Sequence, residues 1–319
     1  MSRYFLRRLL IIVPSLAGIS LVLFTVLALA PGDPFGELAT NPNVPREVAQ
    51  QLREAFGLDD PLPIRYVRWL TSMLRGDWGF SFVSRVNVDT LILQRLPTTL
   101  FVIGSAQLLG LLIALPVGTL SAIRPYSFFD QVATTIAFLG FSLPTFFTGL
   151  LFILLFSIHL DWLPMIYRAD LSVTGWRWYW ETFRQAVMPI SVLGLFQAAT
   201  LTRFTRSAVL DVIRLDYVNT ARAKGLAERV TIVKHVIRNA LIPVVTLIAL
   251  QIPQIFTGAL VTEQIFRVPG IGSLLISSIL ANDTPVIMSI TFVFSCLVVL
   301  FNLFADLVYS WLDPRISYR

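Results

Sequence analysis

The residues best suited to chemistry form one run: Asp216, Tyr217, Val218, Asn219, Thr220, Ala221, Arg222, Ala223, Lys224, Gly225 and Leu226. Small residues (Thr220, Ala221, Ala223, Gly225) stand among positive ones (Arg222, Lys224). That mixture does no covalent chemistry. Small side chains let another backbone approach closely, and cations meet acidic or carbonyl groups on its rim. The run reads as a docking element for a soluble partner. The competing reading is a basic face that binds anionic lipid, which leaves the small residues unexplained. A second set is polar side chains inside apolar runs: Gln107, Gln197, Gln251, Gln254 and Asn302. Each can face a pathway or bond a neighbouring helix. No catalytic residue is expected. His159 and His235 have no Cys or acidic cluster at metal-ligand spacing, so no metal is expected. Cys296 is the single cysteine and reads as a small packed hydrophobe.

The elements that must position these residues are membrane helices. Of 319 residues, 55% are hydrophobic and 14% charged, with a mean hydropathy of +0.74. A soluble domain carries far more charge. Six uncharged stretches approach or exceed the ~17–25 apolar residues a bilayer requires. They are Leu9–Ala30, Leu96–Ile123, Gln131–Ile158, Gln185–Thr202, Asn239–Thr262 and Thr284–Ala305. The fourth is the shortest and reads as continuing across Arg203 and Arg206 into water. The first resembles a secretory leader, but its 22 residues and the following Pro31 favour an uncleaved span. With the N-terminus inside, internal segments hold 14 Lys/Arg against 4 in the short external loops. Both termini are therefore expected in the cytoplasm, and the charge of +6 implies no nucleic acid.

Residues 31–95 form an external insertion opening with the turn signal Pro31-Gly32-Asp33-Pro34. A short helix is expected at Pro45–Phe56, before Gly57, and an amphipathic one at Ile64–Leu74. The loop 159–184 carries Trp162, Trp176, Trp178 and Trp180, an interfacial belt or a contact for an external partner. Pro116, Pro144, Pro189, Pro243 and Pro253 interrupt spans. No Asp, Glu, Lys or Arg lies within a span core, which argues against proton- or sodium-coupled transport. In the island 203–238, a short helix over Leu215–Lys224 should end at Gly225. Beyond it, Leu226, Val230, Val233, Ile237 and Leu241 fall at spacings of 4, 3, 4 and 4, one helical face.

Asp216 to Leu226, followed by His235-Val236-Ile237-Arg238-Asn239-Ala240-Leu241-Ile242-Pro243, resembles the EAA loop of binding-protein-dependent ABC transporter permeases. The similarity is greatest to the dipeptide/oligopeptide/nickel branch and to the first, B-type permease. It extends to Pro31-Gly32-Asp33-Pro34, Gly57-Leu58-Asp59-Asp60-Pro61, Arg75-Gly76-Asp77-Trp78-Gly79, Thr262-Glu263-Gln264-Ile265-Phe266, Pro269-Gly270-Ile271-Gly272 and Asp313-Pro314-Arg315. Asn219 stands where a glutamate is usual, and Pro243 comes later than in the general pattern.

The resemblance implies an all-α membrane protein of six transmembrane helices with the type I importer (MetI-like) permease fold. Residues 1–95 would be the first helix and insertion, 96–305 the permease domain with its coupling loop 203–238, and 306–319 a cytoplasmic tail. Asp216, Tyr217, Asn219, Thr220, Ala221, Arg222, Lys224 and Gly225 would couple to an ATPase, and Gln107, Gln197, Gln251 and Gln254 would line the pathway. Implied partners are a second related permease, two ABC ATPase subunits, an extracytoplasmic solute-binding protein and membrane lipid. The chain lacks a Gly-x-x-x-x-Gly-Lys-Ser/Thr loop, so ATP and Mg would be bound by the ATPases, with no cofactor here. The implied function is import of a peptide-like solute across a bacterial inner membrane. An intramembrane enzyme would need convergent Ser, His and acidic residues in the spans. A self-sufficient carrier or channel would work without ATPases.

Overall fold

The computed structural model describes residues 2–29, 60–168 and 170–312; side chains are described within these except at 2–9, 249–250, 252–257 and 305–312. The expected helix at Pro45–Phe56, the Pro31–Pro34 turn, most of Gly57–Pro61, the Gln254 side chain and Asp313–Arg315 lie outside the described residues. The elements are α1 (Ser2–Leu29), α2 (Leu62–Leu74), α3 (Val88–Ile123), α4 (Phe128–Ser142) and α5 (Thr145–Phe152), which runs on as a π-helix over Ile153–His159. Then come α6 (Trp176–Ile213), α7 (Asp216–Ala223) and α8 (Glu228–Val230), which leads through a π-helix at Thr231–Ile237 into α9 (Arg238–Phe266). Last are α10 (Ile271–Leu280) and α11 (Thr284–Leu312). Among the described residues there is no strand, only an isolated bridge between Phe80 and Asn87.

Among the described residues, five helical segments are long and apolar enough to cross a bilayer: Leu10–Leu29, Val88–Ile123, Trp176–Ile213, Glu228–Ile248 and Thr284–Phe304. Two bent pairs, Phe128–Ser142 with Thr145–His159 and Gly258–Phe266 with Ile271–Leu280, raise the count to as many as seven. The third apolar stretch is thus not one rod but two helices meeting at 103°. Pro144 forces this. Leu143 before it is extended at ψ 129°, the conformation proline imposes on its predecessor, and α5 starts with Pro144 as its N-cap. Pro116, Pro189, Pro243 and Pro253 stay inside helices. The fourth stretch does cross Arg203 and Arg206, and at its other end takes in Trp176, Trp178 and Trp180. These three and Trp162 are exposed.

The chain forms two compact units. In the first (Met1–Pro97, Ser273–Val299), α2 is held by rings. Phe24 of α1 meets Tyr66 edge-on at 5.5 Å and Trp69 at 6.0 Å, and Trp69 meets Phe292 at 6.0 Å. The Tyr66 hydroxyl shares a hydrogen bond with that of Ser20 at 2.9 Å. Asp283, buried, accepts from the Ser81 hydroxyl and from the backbone N–H of Phe82 (3.2 Å) and Val83 (3.4 Å), which fixes that turn.

In the second unit (Thr98–Gly272, Leu300–Arg319), α3 lies directly on α6. A Cβ at Gly118 would come within 2.7 Å of Thr205 Cβ, and one at Gly194 within 2.8 Å of Leu109 Cδ2. Only hydrogen fits at either place, as at other close helix crossings in membranes. Ser127 caps α4, accepting from the Asp130 N–H at 3.2 Å. Asp130 then grips α6: Arg206 Nε and Nη2 donate to its two oxygens at 2.6 and 2.7 Å, and the Tyr126 N–H adds a bond of 2.8 Å. The Asp130 side chain is 4% exposed and that of Arg206 25%. Arg206→Leu leaves a buried carboxylate unpaired, a class of change that costs about 3–5 kcal/mol. Thermal unfolding of the solubilised chain should show a clear drop for Arg206→Leu, partly restored by Asp130→Leu/Arg206→Leu. Equal melting for all three would mean the pair contributes nothing.

Candidate docking site

Eight residues make too short a helix to stand alone in water. α7 stands because its inner face is buried in the chain itself. Val218 has no exposed surface and Ala221 6%. Val218 joins a cluster with Ala122 of α3, Ala208 and Val209 of α6, Val236, and Ala240 and Val244 of α9. The Tyr217 hydroxyl closes the knob from the side, accepting from Asn239 Nδ2 at 2.9 Å and donating to the His235 carbonyl at 3.3 Å. Gly225 ends the turn at φ +79°, a conformation that disfavours any Cβ. Its N–H bonds the Arg222 carbonyl at 2.9 Å, and the Leu226 N–H reaches Ala221 at 3.3 Å.

Beyond the knob the buried face differs from the one the apolar spacing implies. Leu226, Val230 and Val233 are exposed at 41%, 43% and 57%. The buried positions are Thr231, Val236, Ala240 and Val244, at spacings of 5, 4 and 4. The π-helix over Thr231–Ile237 supplies the fifth residue, while Ile237 and Leu241 of the stripe stay half-buried and Leu241 packs on the core cluster. Together with Leu215 (47%) and Tyr217 (40%), Leu226, Val230 and Val233 give the knob an exposed apolar border. Asp216, Asn219, Thr220, Lys224 and Gly225 are exposed; Arg222 is half-buried.

Two assignments change in reason. Ala221 is small because the chain's own core lies against it, not because an outside surface must. Arg222 is engaged within the chain, donating to Glu228 through Nη2 (2.7 Å) and Nε (3.1 Å). That bond pushes the guanidinium still further above its usual range, so its charge is fixed at any working pH.

The glutamines lie in the second unit. Gln197 (5% exposed) and Gln251 (8%) are buried, and the Gln107 amide is buried though its residue is partly exposed. A Cβ at Gly110 would sit 2.9 Å from Gln197 Cβ, so Gln197 faces α3. Gln107 Nε2 and Oε1 and Gln251 Oε1 have no hydrogen-bond partner among the described residues. Sequence reasoning did not single out Asp130, and it named Arg206 only in the extension of the fourth stretch and Glu263 only within the Thr262–Phe266 motif, with no partner for either. Glu263 sits in the last turn of α9, 1% exposed, one residue past the apparent end of the fifth span. Among the described residues, no group of three or more His, Cys, Asp or Glu is placed to hold a metal.

Residues 114–318 match the family described as the binding-protein-dependent transport system inner membrane component, and residues 1–103 match its N-terminal region. The chain belongs to this family. It is 41% identical over 319 residues, all of both chains, to the oligopeptide transport system permease protein AppB of Bacillus subtilis (strain 168). A putative peptide permease protein of Brucella suis biovar 1 is 39% identical over 325 residues, 99% of each chain. The glutathione transport system permease protein GsiC of Salmonella paratyphi A is 36% identical over 319 residues, again all of both. The chain is thus a multi-pass permease subunit of a binding-protein-dependent ABC transporter, not itself an enzyme. ATP in such systems is handled by partner ATPases.

In this permease the root and the face of α7 separate by exposure. Ala221→Trp overpacks the root, and overpacking typically costs about 1–3 kcal/mol. Hydrogen exchange over 216–226 in the isolated permease should rise for Ala221→Trp and stay unchanged for Thr220→Trp. Equal exchange in the two would mean that Ala221 is not part of the root.

Proposed function

We propose that this permease is one transmembrane half of an ATP-driven importer for short peptides or a related solute. It would be the first of two related permeases, working with two ABC ATPases and an extracytoplasmic solute-binding protein. Its place would be a bacterial inner membrane, both termini in the cytoplasm, as the 14-to-4 charge asymmetry of its short segments favours. Its parts would be an N-terminal helix and insertion (1–95), the permease domain (96–305) and a tail (306–319). A peptide cargo is supported by full-length similarity to relatives named for oligopeptide, peptide and glutathione transport.

The observation that carries the docking role is α7 itself. It is anchored by Val218 and Ala221 while Asp216, Tyr217, Asn219, Thr220, Lys224 and Gly225 face out. A rigid root with a polar outer face, small at Thr220, Ala223 and Gly225, is what a cleft on an ATPase requires. The complex of both permeases, ATPases and binding protein, reconstituted in vesicles, should take up short peptides on adding ATP, and the lone chain should neither hydrolyse ATP nor pass solute. Thr220→Trp and Ala223→Trp should leave membrane insertion normal and cut solute-stimulated hydrolysis tenfold or more. Full coupling with these, and loss instead with Arg222→Glu and Lys224→Glu, would assign the face to lipid.

Gln107, Gln197, Gln251 and Gln254 are proposed to line the pathway, bonding peptide groups without fixing one solute. A buried amide without partners is unfavourable by roughly 1–3 kcal/mol. Gln107→Leu should therefore hold or raise the melting temperature of the complex while uptake falls. A lower melting temperature with unchanged uptake would make Gln107 a bond between helices.

A further inference from the structure

Glu263 is an acidic side chain with almost no exposed surface at the end of a long apolar helix. Its surroundings are built around it. Thr99 of α3, 1% exposed, donates its hydroxyl to Glu263 Oε1 at 2.6 Å. The same hydroxyl accepts from the Ile271 N–H, at the start of α10, at 2.8 Å. One hydroxyl thus ties together the end of α9, the start of α10 and α3. The Glu263 carbonyl accepts from the Val268 N–H at 2.8 Å, and Arg267 turns the chain at φ +52°. A side chain at Gly270 would land on the Glu263 carboxyl group, and a Cβ at Gly272 would come within 2.8 Å of Oε2 and 2.9 Å of Leu260 Cα. The two glycines keep the space that the carboxyl group fills. Buried carboxyls without such partners are strongly unfavourable, so the cluster is a joint rather than a chance contact.

The joint stands at one end of a lever. α9 spans 29 residues, about 40 Å at 1.5 Å per residue. Near its other end, Ala240 and Val244 share a buried cluster with Val218 of the docking knob and with Val236 of the π-helix that leads into it. We infer that Glu263 is a positioning residue for transport. Through Thr99 it locks the α9–α10 turn to α3, so that a push on the knob moves the near end of α9 about a fixed far end. This rests on the proposed ATPase coupling of α7 and extends it to a residue that touches neither ATPase nor solute.

The test uses the reconstituted complex and Thr99. Thr99→Val keeps the shape and removes the hydroxyl; Thr99→Ser restores it. Hydrogen exchange over residues 264–274 is measured with and without a non-hydrolysable ATP analogue, beside uptake of a dipeptide mixture per ATP hydrolysed. In the parent complex and in Thr99→Ser, exchange at 264–274 should stay within twofold between nucleotide states while that at 231–244 changes. In Thr99→Val, nucleotide should raise exchange at 264–274 tenfold or more, with hydrolysis within twofold and uptake per ATP down at least tenfold. Thr99→Val behaving as the parent overturns the inference, as does nucleotide-dependent exchange at 264–274 in the parent. Loss of assembly in step with loss of hydrolysis in Thr99→Val also overturns it, leaving a contact that only holds the fold. A parent complex that takes up no dipeptide refutes the peptide cargo alone, because the exchange pattern still decides the joint.

Discussion

The burial of Val218 is the contact on which the working surface depends. Fully burying a valine contributes roughly 1.5–3 kcal/mol, and α7 has only one other buried residue, Ala221. The neighbours of Val218 come from α3, α6, α9 and the π-helix before it. Protein interiors are close-packed and transmit displacement rather than absorb it. α7 is thereby seated against the roots of three long helices at once. An eight-residue helix with a polar outer face becomes useful only because one side chain seats it in that seam.

The π-helix at Thr231–Ile237 decides how the seam is shared. A regular α-helix would turn Leu226, Val230, Val233, Ile237 and Leu241 to one side and bury them together. One extra residue in the turn hands the buried side to Val236, Ala240 and Val244 and leaves Val230 and Val233 exposed, while Leu226 lies before the helix begins. These exposed apolar side chains border α7. The same local distortion thus completes the root of the knob and furnishes its border.

Much of this was legible before any coordinates. Apolar stretches declare themselves by length, because the bilayer fixes how many residues a span needs. The short helix over Leu215–Lys224, its stop at Gly225 and the run of α6 past Arg203 and Arg206 followed from local composition. What sequence did not yield were facts about partners across the fold. Five prolines looked alike, and only Pro144 breaks its helix. The remaining four sit in helices whose neighbours can satisfy the freed backbone groups. Asp130 and Arg206 lie 76 positions apart, so neither announces the other. Glu263 looked like the boundary of an apolar run, whereas α9 continues to Phe266 and buries it. Ala221 was read as facing a partner, and it is buried within the chain itself.

The polar groups inside this permease divide by whether they are satisfied. Asp130 and Glu263 are buried with donors aimed at them, and each joins two or more elements. Such groups specify geometry, since any other arrangement would leave a carboxyl group without partners. Gln107 and Gln251 are different: buried amide atoms face no partner among the described residues. Asp130 and Glu263 thus hold helices in a fixed arrangement, which the amides of Gln107 and Gln251 do not.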